Sequence, residues 1–253
     1  MENTLTDITG SDTLFVLVHG AWAAPFAWKQ VQDILTEKSY QSITPQLPGH
    51  GSDNTAPGNL HMESYIAYVT EAIKQTGKKV ILVGHSMAGM VVAGVAEQIP
   101  QLIDKLIFVA AYLPQNGQSA FAISAADTQS LLGASLIVSD DKLTFDVKLE
   151  NALNIFCQDA PENVQKIVLE NYKPEPAAPF SDTVSLSDAN FGQVTKYYIE
   201  TLQDNGIGNI LQKQMMATST LADSYDLNTG HCPMLSQPQQ LSEILIEIAL
   251  QEK

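Results

Sequence analysis

Lys79-Val-Ile-Leu-Val83 runs without interruption into Gly84-His-Ser86-Met-Ala88-Gly89, and Met90 to Gln98 follows as a run of small and apolar residues. A short apolar strand-forming run, a tight turn and a helix in that order read as one strand–turn–helix unit. A serine at the apex of such a turn takes a strained backbone. Its neighbours two positions away must therefore be small, as Gly84 and Ala88 are. The serine then lies at a helix N-terminus, where backbone N–H groups favour developing negative charge. Two competing glycine motifs fail: no Gly-Lys-Ser/Thr follows for a phosphate loop, and Ser86 occupies the middle glycine position of a dinucleotide fingerprint.

The same alternation extends outward on both sides. Leu14-Phe-Val-Leu-Val18 reads as a buried parallel strand, Pro25 to about Lys38 as a helix, Ser42 to Leu47 as a strand and Met62 to Gln75 as a helix stopped by Gly77. Lys105 to Ala110 is the next strand. From about 115 to 193 the alternation breaks. That block holds a small hairpin (Leu136–Val138 with Leu143–Phe145), helices near Glu150–Phe156 and Pro161–Asn171, and a stiff Pro174–Pro179 connector. It reads as an inserted, mainly helical cap. Lys196–Thr201, a helix near Ile210–Ala217, a weak strand Asp223–Leu227 and an amphipathic helix from Gln237 to Gln251 close the chain. The expectation is one α/β domain over 1–253. Its core, 12–114 and 194–253, is a mostly parallel sheet with helices on both faces, and the cap is 115–193.

A serine nucleophile needs a base. Of the five histidines, His231 alone lies in a loop after the final strand and before the last helix. Asp204 ends the preceding strand and supplies the acid, in the chain order Ser, acid, His. Its rivals are Glu200, inside the strand, and Asp223 and Asp226, close to His231 in sequence. His85 is expected to face away from the serine, and His50 and His61 follow the second strand. The loop His19-Gly20-Ala21-Trp22 after the first strand offers the Ala21 N–H, and the residue after the nucleophile offers the Met87 N–H, as two oxyanion donors. Each is typically worth about 3–4 kcal/mol of transition-state stabilisation. His19 reads as a structural residue ordering that loop, and Trp22 as core or pocket wall. The substrate pocket is expected to draw on Trp22, Phe121, Leu131, Phe145, Leu153, Phe156 and Cys232. Cys232 reads as a packed wall and Cys157 as cap core. The histidines and cysteines show no metal-ligand spacing, so neither a metal nor an organic cofactor is expected.

The bulk composition narrows the partners. The net charge is −15, with 28 acidic residues against 13 basic ones, every one a lysine. Such a surface repels nucleic acid and anionic membranes. The absence of arginine removes the bidentate clamp that phosphate and dicarboxylate sites favour. A neutral, largely apolar small molecule is therefore the expected partner, and homodimerisation is compatible with the sequence. Met1 to Gly10 lacks the basic and apolar regions of a signal peptide. With two cysteines only, a reduced cytoplasmic location is the expectation.

Five segments resemble one family: Phe15–Trp22, Leu82–Gly89, Phe108–Pro114, Phe191–Ile199 and Gly230-His-Cys-Pro-Met-Leu-Ser-Gln-Pro238. Together they resemble the plant methylesterase and hydroxynitrile-lyase-like branch of the α/β-hydrolases, with its bacterial esterases. The resemblance spans nearly the whole chain. It implies a catalytic domain with a helical cap, a buried apolar acyl pocket and an acid at Asp204. The chain departs from that family in two places: Gly208, not proline, follows Ile207, and Gly230, not aspartate, precedes His231. Lyase members tend to carry threonine where Gly20 stands and lysine where Cys232 stands. The expected activity is hydrolysis of a carboxylic ester by a serine esterase. A hydroxynitrile-lyase-like or other non-hydrolytic enzyme, and a non-catalytic small-molecule-binding relative, are the alternatives. Gly20 and Cys232 argue against the first, the intact Ser, Asp and His against the second, and Ser86 itself excludes an aspartate nucleophile.

Asparagine at the acid position keeps the shape but favours the wrong imidazole tautomer. Asp204→Asn is therefore expected to cost far more kcat than Asp223→Asn or Asp226→Asn. Ester-hydrolysis kinetics of the three purified variants check this, and a larger loss at 223 or 226 would move the acid.

Overall fold

In the computed structural model, which describes residues 13–252, six strands form one parallel sheet. Four come from the first half of the chain: β1 (Leu14–Val18), β2 (Gln41–Ile43), β3 (Val80–His85) and β4 (Ile103–Val109). The stretch Met1–Gly10, read above for a leader, lies outside the described residues. Three helices alternate with these strands: α1 (Lys29–Glu37), α2 (Met62–Thr76) and α3 (Ala88–Gln98). Every residue of β1 and β3 is buried, as a parallel sheet covered on both faces requires. Each buried Val, Leu or Ile there contributes about 1.5–3 kcal/mol.

Two details depart from the expected elements. Pro25 opens a short 3-10 turn, Pro25–Trp28, before α1 begins. The second strand stops at Ile43 instead of reaching Leu47, because Pro45 has no N–H to continue the ladder and β2 is the sheet edge.

Between β4 and the return to the sheet lies the cap. It holds α4 (Ala120–Ser124), α5 (Leu132–Ser135), β5 (Leu136–Val138), β6 (Thr144–Val147), α6 (Leu149–Phe156), α7 (Glu162–Asn171), β7 (Glu175–Pro176) and α8 (Ala178–Ser181). The predicted hairpin is β5–β6, and it gains a third antiparallel strand. Pro174–Pro179, expected to be a mere connector, supplies that strand: Glu175 pairs with Phe145 and Pro176 with Thr144. The prolines only punctuate it, because an edge strand tolerates a missing N–H.

The chain then re-enters the main sheet as β8 (Lys196–Thr201), continues through α9 (Asn209–Ala217) to β9 (Asp223–Leu227), and ends in α10 (Pro233–Ser236) and α11 (Pro238–Leu250). The sheet order is β2-β1-β3-β4-β8-β9. The helix α1 packs with α11, and α2 packs with α3, while α9 packs against β8. No described helix is long and apolar enough to cross a membrane.

Lys105 on β4 is only 2% exposed and ends under the C-terminus of α11. Its Nζ donates to the carbonyls of Ile248 (2.7 Å), Ala249 (2.9 Å) and Gln251 (2.6 Å). A cation there satisfies end carbonyls and opposes the negative end of the helix dipole. Lys105→Met is expected to lower stability by about 1–3 kcal/mol while leaving kcat unchanged. Urea unfolding midpoints and steady-state kinetics of the two proteins read both halves.

Candidate active site

The serine sits where β3 turns into α3, at φ 56. Its backbone is held on both sides. Ser86 N–H donates to Val109 O (3.3 Å), and Ser86 O accepts from Gly89 N–H (3.0 Å) and Tyr112 N–H (3.1 Å). The turn is thereby tied both to the end of β4 and to the segment after it.

Ser86 Oγ lies 2.9 Å from His231 Nε2, and His231 Nδ1 lies 2.9 Å from Asp204 Oδ2. An ionised carboxylate only accepts, so Nδ1 carries the proton. Nε2 then presents its lone pair to the serine hydroxyl. Asp204 is buried and its acceptor sites are heavily used. Oδ2 also accepts from Thr201 Oγ1 (2.7 Å) and Gln212 Nε2 (3.0 Å), while Oδ1 accepts from Gly206 N–H (2.7 Å) and Ile207 N–H (2.8 Å). These donors stabilise the charged carboxylate and fix its orientation. The rivals are placed elsewhere. Glu200 bonds Asn209 Nδ2 at 2.7 Å, and Asp223 and Asp226 are exposed on β9.

Ala21 and Met87 follow β1 and Ser86. Among the described residues, neither backbone N–H donates a hydrogen bond inside the protein. His19 is buried and orders this loop. Its Nδ1–H donates to Gly20 O (2.9 Å) and its Nε2 accepts from Leu47 N–H (3.2 Å). A side chain at 20 has no room, since a Cβ there would lie 2.9 Å from Ser86 Cβ and 3.0 Å from the His85 ring.

His85 corrects its expected role. It does not face away from the site but reaches beneath the base loop, where Nε2 donates to His231 O at 2.8 Å. Sequence reading also missed Thr201 and Gln212. Gln212 is fully buried among apolar residues of α9, and a glutamine in that helical phase was the available signal.

A cavity beside His231 is lined by Trp22, Phe26, Phe156, Val168, Met234 and Leu235, together with His85 and Cys232. Of the predicted pocket residues, Trp22, Phe156 and Cys232 border it. Phe121 and Phe145 instead stack edge-on at 5.3 Å and pack with Phe180 in an aromatic cluster that also touches Trp22. Leu153 is half-buried on α6 against the core. Leu131 turns outward, 42% exposed, because its N–H is tied to Asn205 O and the chain enters α5 there. Burial pushes the Cys232 thiol well above its usual range and the Cys157 thiol up to about 11, so both are poor nucleophiles.

Both family departures are filled by cap contacts. Gly208 N–H donates to Asp127 Oδ2 (2.7 Å), a bond that proline cannot make. Gly230 N–H donates to Asp159 Oδ2 (2.9 Å), and a Cβ at 230 would strike the Gln158 amide at 2.5 Å.

Three buried histidines have opposed titrations. Burial, then the neighbouring His50 charge, pulls His19 down to about 3. Burial and His231 hold His85 well below its ordinary value. Burial also opposes a charge on His50, but the Glu175 carboxylate outweighs it and raises that pKa.

A family model described as "Alpha/beta hydrolase family" matches residues 15–244. The chain is 31% identical over 247 residues to putative methylesterase 11, chloroplastic, of Arabidopsis thaliana, covering 93% of this chain and 63% of that relative's length. It is 28% identical to salicylic acid-binding protein 2 of Nicotiana tabacum, covering 93% of this chain and 96% of that protein. The crystal structure of a methylesterase from Arabidopsis superposes with a TM-score of 0.81 at 22% identity, covering 94% and 98% of the two chains.

His19 and His85 bind a proton near pH 6.5 when unfolded but not when folded, so stability falls as pH drops through that value. His50 works in the opposite direction, and two outweigh one. The urea midpoint is expected to fall between about pH 7.5 and about pH 5, and His19→Asn should flatten that slope. An unchanged slope in the variant would remove His19 as a source.

Proposed function

The chain belongs to the alpha/beta hydrolase family, and from that premise we propose that it is a serine carboxylesterase working through an acyl-enzyme. The observation that carries this reading is the hydrogen-bonded line from Ser86 Oγ through His231 to Asp204, with both links at 2.9 Å and the serine at a positive φ. Ser86 Oγ attacks the ester carbonyl as His231 Nε2 takes its proton, and Asp204 stabilises the imidazolium. The carbonyl oxygen becomes an oxyanion, received by Ala21 N–H and Met87 N–H. Collapse expels the alkoxide, which takes the proton from His231. Water, deprotonated by His231, then attacks the acyl-enzyme and releases the acid and Ser86.

A neutral, largely apolar ester suits the character of the cavity walls, which beside His85, His231 and Cys232 are aromatic and aliphatic and include no lysine. Several relatives carry the name methylesterase, which supports an ester bond as the target. A lyase reading has less support, because Gly20 has no space for the threonine and Cys232 stands in place of the lysine. Buried free thiols at Cys157 and Cys232 fit a reducing compartment such as the cytoplasm. The net charge of −15 disfavours nucleic acid as a partner. Light scattering of the purified chain reads whether it is a homodimer.

A panel of p-nitrophenyl esters of rising acyl length tests catalysis and pocket length together. Turnover is expected in the wild-type chain. Ser86→Ala should leave only the oxyanion-hole and binding contributions, roughly 10³–10⁴-fold over water. Near wild-type turnover in a folded Ser86→Ala protein would overturn the assignment.

A further inference from the structure

Glu175 is fully buried, although it belongs to the cap and carries a carboxylate. One of its oxygens, Oε2, accepts from Trp22 N–H and from His50 Nε2–H, both at 2.8 Å. Oε1 is buried, and the Tyr65 hydroxyl, buried as well, faces the same carboxylate. Both nitrogens of His50 face acceptors, Glu175 and Pro48 O (3.0 Å), so both carry protons and the ring is a cation. Burying such a pair costs several kcal/mol per ion before attraction and hydrogen bonds offset it. An apolar side chain would fill the space at less cost, so packing alone does not account for the carboxylate.

What the pair holds is the loop after β1. Two peptide planes meet at Ala21. The first, Gly20–Ala21, is gripped through its carbonyl by His19 Nδ1–H at 2.9 Å. In a trans peptide the N–H points opposite to the C=O, so this grip aims Ala21 N–H away from His19. The second plane, Ala21–Trp22, is gripped through its N–H by Glu175. With both planes held, the φ and ψ of Ala21 have no freedom left. Trp22 itself sits at φ 54, a costly backbone for a bulky aromatic residue. Its indole Nε1–H donates to Phe145 O at 3.2 Å, and Phe145 is the residue paired with Glu175 across β6 and β7. The small cap sheet thus clamps Trp22 by backbone and side chain together.

We propose that Glu175 is a positioning residue for the oxyanion hole: by holding Trp22 N–H, the cap carboxylate fixes the peptide plane after Ala21 and so keeps Ala21 N–H in the direction that His19 gives it. This rests on the esterase reading. The acceptor oxygen is the working feature, and its charge serves the pairing with His50. The cap therefore completes the catalytic geometry besides covering it. A misdirected donor costs transition-state stabilisation but leaves substrate binding in the apolar cavity largely intact.

The test uses the full chain with Glu175→Gln, Glu175→Asp and Glu175→Ala, measured for kcat and KM on a p-nitrophenyl ester, for melting temperature, and for amide hydrogen exchange at Trp22. Glutamine keeps an oxygen for Trp22 N–H. Aspartate keeps the charge but withdraws it by one methylene. Glutamine is expected to hold kcat within about threefold of wild type, while aspartate and alanine lose about 10- to 100-fold in kcat with KM nearly unchanged. Trp22 exchange should quicken in the last two and not in the first. If alanine does not fold, aspartate against glutamine decides. Wild-type kcat in Glu175→Asp, a loss confined to KM, or an equal loss in Glu175→Gln would overturn the proposal. A wild-type chain that turns over no ester would instead overturn the esterase reading, and Trp22 exchange alone would then uphold or overturn the clamp.

Discussion

Ser86 sits at φ 56, in a backbone region that costs a non-glycine residue of order 1–3 kcal/mol, and it persists only where its surroundings over-determine it. Those surroundings are the middle of the sheet. β3 is paired with β1 on one side and β4 on the other, every residue of it buried. The turn that follows is bonded to Val109 and Tyr112. Removing that support would let the turn relax to an ordinary backbone, and the hydroxyl would leave the imidazole. The core therefore does more than supply stability: it stores the strain that presents the serine.

Around that point the polar groups are buried, so almost every one must find a partner inside. Asp204 takes donors from a strand end, a loop and a helix at once, which leaves its carboxylate a single orientation. His19 and His85 are kept neutral by burial and used as ordered hydrogen-bonding groups, one for the loop after β1 and one for the carbonyl of His231. The environment thus gives His19, His85 and His231 three different tasks: ordering a loop, holding the His231 carbonyl, and meeting the Ser86 hydroxyl.

Three of the bonds that attach the cap to the core fall on the loops that carry the proposed chemistry. Asp127 bonds the loop after Asp204, Asp159 bonds the loop before His231, and Glu175 bonds the loop after β1. Two of these contacts occupy the positions where the chain departs from its family, Gly208 and Gly230. At both positions an acidic or amide group of the cap meets the glycine: Asp127 at Gly208, and Asp159 and Gln158 at Gly230.

The sheet, its alternating helices and the residues Ser86, Asp204 and His231 were legible in the sequence, because each depends on a local rule. Apolar runs mark strands, small residues flank a strained serine, and acid and base stand at strand ends in a set chain order. The fate of the cap was not local. Pro174–Pro179 looked like a connector, since no residue in it announces a strand, and only pairing with β6 makes it one. Leu131 and Phe145 have the same apolar character as Phe156, yet only Phe156 reaches the cavity, because hydrophobicity says that a side chain seeks burial and not against what. The sequence by itself determined the fold, the hydrolase family and the strand–turn–helix that carries Ser86. The tertiary structure decided which distant groups, Glu175 and His85 among them, hold the loops around Ser86 in register, because hydrogen bonds between residues more than a hundred positions apart are set by how the chain folds back and leave no periodic trace in its order.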